Sequence, residues 1–347
     1  MPTPVLVTGG AGYVGSHACK ALANAGFLPV VYDNLVHGHE WAVRWGPLEI
    51  GDITDQARLE AAMRKHRVKA VVHFAAFAYV GESMQEPGRY FANNVGGTRS
   101  LLEAMRAVGV TRIVVSSTCA VYGIPERTPI DEATPTRPMS PYGESKLMME
   151  KMLGWYRACH GLDWAALRYF NAAGADADGE IGEEHEPEPH LIPTVIRTAL
   201  GKQTVLQIFG TDYPTPDGTA VRDYVHVTDL ADAHVRALDY LGGGGESVAI
   251  NLGTGAGHSV RAVIQAVEQA AGHPIKAILQ PRRPGDPPFL VADAAMARRV
   301  LGWKPKHSSL DNIVATAWQW ATARATAPIV FQQPAAVETA LRRRLGS

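Results

Sequence analysis

Cysteine is scarce in this chain. Cys19, Cys119 and Cys159 are the only three in 347 residues, an odd number without metal-ligand spacing. A disulfide-built secreted scaffold and a cysteine-based zinc module are excluded. Reduced thiols in the cytoplasm are the expectation, and no metal is expected. An excess of charge is also missing: the formal net charge is -1, which argues against nucleic acid or an anionic membrane held by a global field. No run reaches the ~18 consecutive apolar residues of a membrane span. The run "AVVHFAAFAYVG" is shorter and carries His73. The strand-like "PVLV" begins almost at once, without the basic region and apolar core of an export signal. Repeats, heptads and low-complexity arrays are absent.

What is present suits a soluble enzyme. With 46% hydrophobic residues and 19% charged, the chain can bury a large core in one big domain or two. Short β-branched runs, "PVLVTG", "PVVYDN", "AVVHFAA", "RIVVSST" and "WAALRYF", are separated by helix-compatible stretches at 14–25, 55–66, 95–108 and 143–158. Strands alternating with helices imply βαβ units, hence a doubly wound α/β domain with a parallel sheet. The pattern breaks after about residue 172, where "AGADADGEIGEEHEPEPH" is acidic, rich in Gly and Pro, and reads as an ordered loop. Residues 1–171 are thus expected to form a Rossmann-type domain, rejoined by about 225–255, with 172–347 mainly a smaller, discontinuous α/β substrate domain. The terminal "ALRRRLGS" reads as a solvated tail.

Gly9, Gly12 and Gly15 in "TGGAGYVGS" follow the first strand and open the first helix. Glycines there permit a tight turn and close approach of backbone to a pyrophosphate, which meets the free N–H groups of the helix start. A glycine-rich turn can also serve chain geometry alone. Asp33, closing the second strand 18 residues beyond Gly15, favours the nucleotide reading. Its carboxylate suits ribose hydroxyls and repels a 2'-phosphate, and no arginine stands beside it in "VVYDNLVHG", so NAD is expected rather than NADP. Asp52 and Ile53 in "GDIT" are placed for an adenine edge and face, or simply for a strand-ending turn. Phe74, Ala75 and Ala76 end the fourth strand, where small residues admit a cofactor or pack a helix on the sheet.

In "SPYGESK", Ser140 suits an N-cap and Pro141 the first helical position. Tyr142 then lies in the first turn, with Lys146 four residues on and facing the same way. A nearby ammonium, a positive nicotinamide ring and the helix end would each lower the phenol pKa, making Tyr142 a plausible general base. An amphipathic helix with a buried ring explains an isolated pair equally well. Position favours chemistry here, because the pair follows the strand ending in Ser116, Ser117 and Thr118, and ligands of α/β sheets bind at carboxyl strand ends. Thr118 is placed to bond a substrate hydroxyl or the Tyr142 oxygen.

These motifs, with "NNVGGT", "LRYFNAAGA", "IFGTDYPTPDGTAVRDYVHV", "NLGTG" and "PRRPGD", resemble the UDP-galactose 4-epimerases of the extended short-chain dehydrogenase/reductase superfamily over about residues 4–320. The resemblance implies a catalytic trio of Thr118, Tyr142 and Lys146. It also implies cofactor contacts from Tyr13, Val14, Asn34, Asn93, Ser116, Tyr169 and Phe170 besides the residues above. For a UDP-sugar it implies Asn171, Arg222 and Arg283 at the phosphates, Tyr224 and Asp286 at the uridine, and Leu290 as a wall of the sugar pocket. Tyr142 would take the 4-hydroxyl proton while hydride passes from C4 to NAD and back to the other face. A homodimer is implied through the helices near 95–108 and 143–158, where Leu101, Leu102, Met105, Met148, Met149 and Met152 suit either an interface or a monomer core.

Some positions depart from the resemblance. Threonine replaces a frequent serine at 118, Ala78 stands where some members carry a lysine near the nicotinamide, and the acidic 179–190 run is unusual. Leu290 is intermediate in size, so plain hexoses come first, with N-acetylhexosamines and pentoses as alternatives. Cys119 and Ala120 after Thr118 lack the Asp-Glu pair of the 4,6-dehydratases. No extra positive charge in "PPFLVAD" supports a uronate substrate. A non-catalytic NAD-binding regulatory protein would be expected to have lost the Tyr/Lys pair.

Overall fold

The computed structural model describes residues 2–283 and 285–326, so the terminal "ALRRRLGS" lies outside the described residues. The first six strands are β1 (Thr3–Thr8), β2 (Phe27–Asp33), β3 (Leu48–Ile50), β4 (Ala70–His73), β5 (Arg112–Thr118) and β6 (Asp163–Tyr169). Helices α1 (Tyr13–Asn24), α2 (Gln56–His66), α3 (Val80–Gln85), α4 (Pro87–Tyr90), α5 (Gly97–Val108) and α6 (Pro141–His160) run among and after them. Strand β7 (Asn171–Ala173), helix α7 (Leu191–Ala199), strands β8 (Leu206–Phe209) and β9 (Val221–His226), helix α8 (Val227–Gly242) and strand β10 (Val248–Leu252) follow.

The central sheet is parallel, in the order β10-β6-β5-β4-β1-β2-β3. Its strands read as continuous apolar runs because both faces are covered: Val5, Leu6 and Val7 of β1 are all 0% exposed. Val5 and Val7 pack with Leu22 of α1 and Leu230 and Leu238 of α8. Leu6 faces the other way, among Leu59 of α2, Leu101 and Met105 of α5, and Met149 of α6. This is the expected doubly wound architecture. The order reverses between β1 and β4, so a crevice opens at the carboxyl ends of these two strands, where such sheets bind ligands.

The helix expected over 95–108 is modified. A π-helical turn, Phe91–Gly96, precedes α5. It turns the Asn94 side chain into the loop after β4, where its Oδ1 accepts from Phe77 N at 2.8 Å and its Nδ2 donates to Phe77 O at 3.0 Å. Single π turns of this kind are frequent at functional sites.

The remaining elements are β11 (Gly257–Ser259), α9 (Val260–Ala271), β12 (Ala277–Gln280), β13 (Phe289–Leu290), α10 (Ala295–Leu301) and α11 (Leu310–Thr326). Strand β9 pairs with β7, β11 and β13, while β8 pairs with β12. Ile192 and Val195 of α7, Val263 and Val267 of α9, and Ile313 of α11 form a separate core beside them. Residues 174–190 carry no helix or strand, as expected of the acidic run. Among the described residues, no helix is long and apolar enough to cross a membrane.

Of the six apolar residues suited to either a core or an interface, Leu101, Leu102, Met105 and Met149 are at most 1% exposed and belong to the monomer core. Met152 is partly buried against the same core. Only Met148 remains largely open, at 40% exposed, with Trp155 on the same helix at 71%.

Candidate functional site

The crevice is built from strand ends. Gly9 follows β1 with φ +71°, and a Cβ there would stand 2.6 Å from Ala75 N, just beyond β4. A Cβ on Gly15 would reach 2.1 Å from Gly9 O, so neither position accepts a side chain. Gly12 caps α1 without a side-chain hydrogen bond, leaving the helix start to backbone donors. The Tyr13 hydroxyl donates to Gly174 O at 2.6 Å and ties this turn to the acidic loop. Val14 lies in the first turn of α1.

Asp33 accepts from Ala11 N at 3.0 Å and from Leu35 N at 2.9 Å, while burial pushes its carboxyl above the ordinary range. Asn34 donates to Asp52 Oδ2 at 2.9 Å, which brings the ends of β2 and β3 together. The Ile53 side chain is 4% exposed and lies so close to α5 that a Cβ on Gly97 would meet Ile53 Cδ1 at 2.4 Å. It is therefore mainly a core residue, with Asp52 the more accessible of the pair. The Phe74 ring lies 4.6 Å from that of His234, tilted at 43° to it. Asn93 donates to Asn94 Oδ1 at 3.0 Å.

At the other end of the crevice, α6 begins as its sequence dictates. Ser140 Oγ accepts from Gly143 N at 3.1 Å and Pro141 opens the helix. Tyr142 is half-buried, with Tyr90 edge-on to it at 6.5 Å between ring centres. Its backbone oxygen accepts from Ser145 Oγ, which also bonds Asn94, so the loop after β4 is stitched to the first turn of α6. Lys146, 3% exposed, donates to Ser116 O at 2.8 Å. Ser116 Oγ and Tyr169 OH lie 2.6 Å apart.

The expected depression of the Tyr142 pKa is not found in the protein itself. Burial pushes the phenol up, the neighbouring Tyr169 adds to this, and the Thr118 hydroxyl pulls it down only in part. The Lys146 ammonium is hydrogen-bonded to a backbone carbonyl and not to the phenol. Burial in turn lowers the Lys146 pKa from 10.5 to about 8.

The lowered Lys146 pKa makes folding stability depend on pH. Between about 8 and 10 the unfolded chain keeps this proton and the folded chain sheds it, so stability should rise with pH. The gain is about 1.4 kcal/mol per pH unit. Denaturant titrations of wild type and Lys146→Met should differ by that slope. Parallel pH profiles would contradict it.

A second constellation lies on and beside the small sheet. Asn171 Nδ2 donates to Asp223 O at 3.0 Å, in register with Tyr224. Arg222 pairs with Leu290 across β9 and β13, and its guanidinium binds the Asp286 carboxylate. Arg283 lies 4.1 Å over the Phe209 ring. Tyr224 is 6% exposed. Phe170 and the partly buried Leu290 share a core patch with Cys119 and Leu147, which joins the small sheet to the Tyr142 end of the crevice.

Residues 5–253 match the model of the NAD dependent epimerase/dehydratase family. The chain belongs to that family. The UDP-glucose 4-epimerase of Rhizobium meliloti (strain 1021) is 52% identical over 320 residues, spanning 92% of this chain and 97% of that protein. The structure of UDP-glucose 4-epimerase from Brucella ovis in complex with NAD matches with a TM-score of 0.90 at 52% identity, over 91% of this chain and 98% of that one. That of Stenotrophomonas maltophila, with bound NAD and formylated UDP-arabinopyranose, matches at 0.90 and 43%, over 93% and 99%.

Sequence reasoning missed a buried polar chain behind Thr118. Ser117 Oγ donates to Glu150 Oε1 at 2.5 Å, and Glu150 accepts from Arg168 Nη2 at 2.5 Å. Arg168 also donates to Tyr122 OH at 2.9 Å, and Tyr122 donates to Asn251 Oδ1 at 2.7 Å. One local signal was available: Glu150 follows Lys146 by four residues, on the same helix face as Tyr142.

Proposed function

We propose that the chain interconverts UDP-galactose and UDP-glucose through transient oxidation at sugar C4, with Tyr142 as acid/base. What supports this reading is a glycine-lined helix start and the Thr118, Tyr142 and Lys146 group on one parallel sheet, with the Arg222 guanidinium on the small sheet and Arg283 in the segment after β12. Relatives about half identical over nine-tenths of the chain are UDP-glucose 4-epimerases.

The cofactor fits. Gly9, Gly12 and Gly15, with Tyr13 and Val14, would cradle its pyrophosphate. Asp33 and Asn34 would hold the ribose, and Asp52 would meet the adenine edge, with Ile53 packed in the core behind it. Phe74, Ala75, Ala76, Asn93, Ser116, Tyr169 and Phe170 would line its nicotinamide half. Bound NAD supplies a reversible two-electron acceptor for the hydrogen on C4, so no net redox occurs.

The chain's own work is proton transfer and holding. Tyr142 would take the 4-hydroxyl proton and return it, Thr118 would orient that hydroxyl, and Lys146 would supply positive charge. Arg222, Arg283 and Asn171 suit a dianionic diphosphate, where guanidinium groups give charge-assisted hydrogen bonds. Tyr224 and Asp286 would meet the uridine, with Leu290 against the sugar. Inversion requires UDP to stay held while the oxidised sugar shows its other face. Anchoring the nucleotide on the small sheet, apart from Tyr142, meets that need. In this reading residues 1–171 with the 225–255 return hold NAD and most of 172–347 holds the UDP-sugar. The protein works in the cytoplasm as a homodimer, with the exposed Met148 and Trp155 of α6 at its interface.

Pentose substrates form a second reading, favoured by the UDP-arabinopyranose derivative held by the Stenotrophomonas relative. Incubation with UDP-galactose, without added NAD, should yield UDP-glucose to a fixed ratio with no release of NADH. Failure to convert it even with NAD supplied, while UDP-xylose is converted, would transfer the assignment to the pentoses.

A further inference from the structure

The acidic loop before α7 is arranged unevenly. Its outer carboxylates take the nearby cations: Glu180 pairs with Lys20 and Arg44, Glu184 with Arg324, and Glu186 with Arg197. Glu183 and Glu188 have side chains only 8% and 4% exposed, and among the described residues their ion pairs are with histidines alone. His190 Nδ1 lies 2.7 Å from Glu188 Oε1 and 2.9 Å from Glu183 Oε1. His185 Nδ1 lies 3.3 Å from Glu183 Oε1 and 3.4 Å from Glu188 Oε2.

From this geometry we infer that Glu183, His185, Glu188 and His190 form a site for a divalent transition-metal ion, with Zn2+ the best fit. One ligand atom from each residue lies within 4.8 Å of all the others. A tetrahedral zinc with bonds of about 2.0–2.1 Å has ligand–ligand edges of about 3.3 Å, and the histidine–carboxylate contacts of 2.7–3.4 Å lie near that value. Two imidazoles and two carboxylates make a neutral-plus-dianionic N2O2 set, suited to zinc and not to the all-oxygen preference of calcium or magnesium.

A second observation points the same way. The buried His185 Nδ1 makes no aligned hydrogen bond, although two carboxylates stand beside it. Proton-mediated pairing therefore leaves this nitrogen poorly served, whereas a central cation would be met by its lone pair.

The site is separate from the Tyr142 constellation but borders the cofactor turn. Tyr13 stands edge-on to His185 at 6.3 Å, and Tyr79 to His190 at 6.0 Å. His190 is also the residue that caps α7. A metal here would clip the loop to the start of α7 and fix the wall beside the glycine turn.

The test uses the full chain, stripped with a chelator, desalted and titrated with Zn2+ alone by calorimetry, with elemental analysis after gel filtration. The expected result is one zinc per chain, a raised melting temperature, and loss of that equivalent in His185→Ala and in the milder His190→Gln, both checked for folding by circular dichroism. X-ray absorption on the wild-type protein should show only N and O neighbours, with two imidazoles. No saturable binding, binding unchanged in both variants, or a sulfur neighbour would each overturn the assignment.

Discussion

Tyr142→Phe is expected to lower the turnover of UDP-galactose by roughly 10²–10⁴-fold, the usual worth of a positioned general acid/base. The amount of NAD carried by the protein should not change. The substitution removes one oxygen and leaves the ring, which is held edge-on by Tyr90. The first turn of α6 stays fixed through Ser140, Ser145 and Asn94, so a loss of rate reports proton transfer and not a displaced helix. Because burial holds the phenol high in the protein alone, activity should gain from any positive charge brought near it on loading. Turnover within a few-fold of wild type would remove Tyr142 from the reaction.

The second large effect lies behind the site. Arg168→Met strands the Glu150 carboxylate, which is 7% exposed, and should lower the unfolding free energy by about 3–5 kcal/mol. The double change Glu150→Leu with Arg168→Met leaves no unpaired charge and should recover most of that loss. Ser117 donates to the same carboxylate, so the single variant should also loosen the strand end that presents Thr118. Denaturant unfolding at fixed excess NAD measures both variants. A double variant no more stable than the single one would contradict the stranded-charge account.

What the sequence makes legible is what local chemistry determines. Strands buried on both faces read as apolar runs, so β1, β2, β4, β5 and β6 are found where those runs lie. The cap of α6 is read from Ser140 and Pro141, and the glycine turn from its spacing. Interactions closed by the fold are not legible: Tyr122 meets Asn251 across 129 positions, and nothing local marks Arg168 as the partner of Glu150. The π turn depends on Asn94 finding the backbone of Phe77, a contact between elements. The direction of the Tyr142 titration in the protein alone is not legible for a related reason. Its sign depends on burial and on where Lys146 points, and helical spacing reports neither. The 179–190 run reads as plain acidic loop until the fold turns Glu183 and Glu188 inward against two histidines.

The central claim is reversible oxidation at C4 with return of the same hydrogen. UDP-galactose carrying deuterium at C4 should be incubated with the purified protein in ordinary water, and the UDP-glucose formed examined by NMR and mass spectrometry. The account predicts full retention of deuterium at C4 in the inverted product. Deuterium lost to solvent, or product formed without inversion at C4, would contradict it.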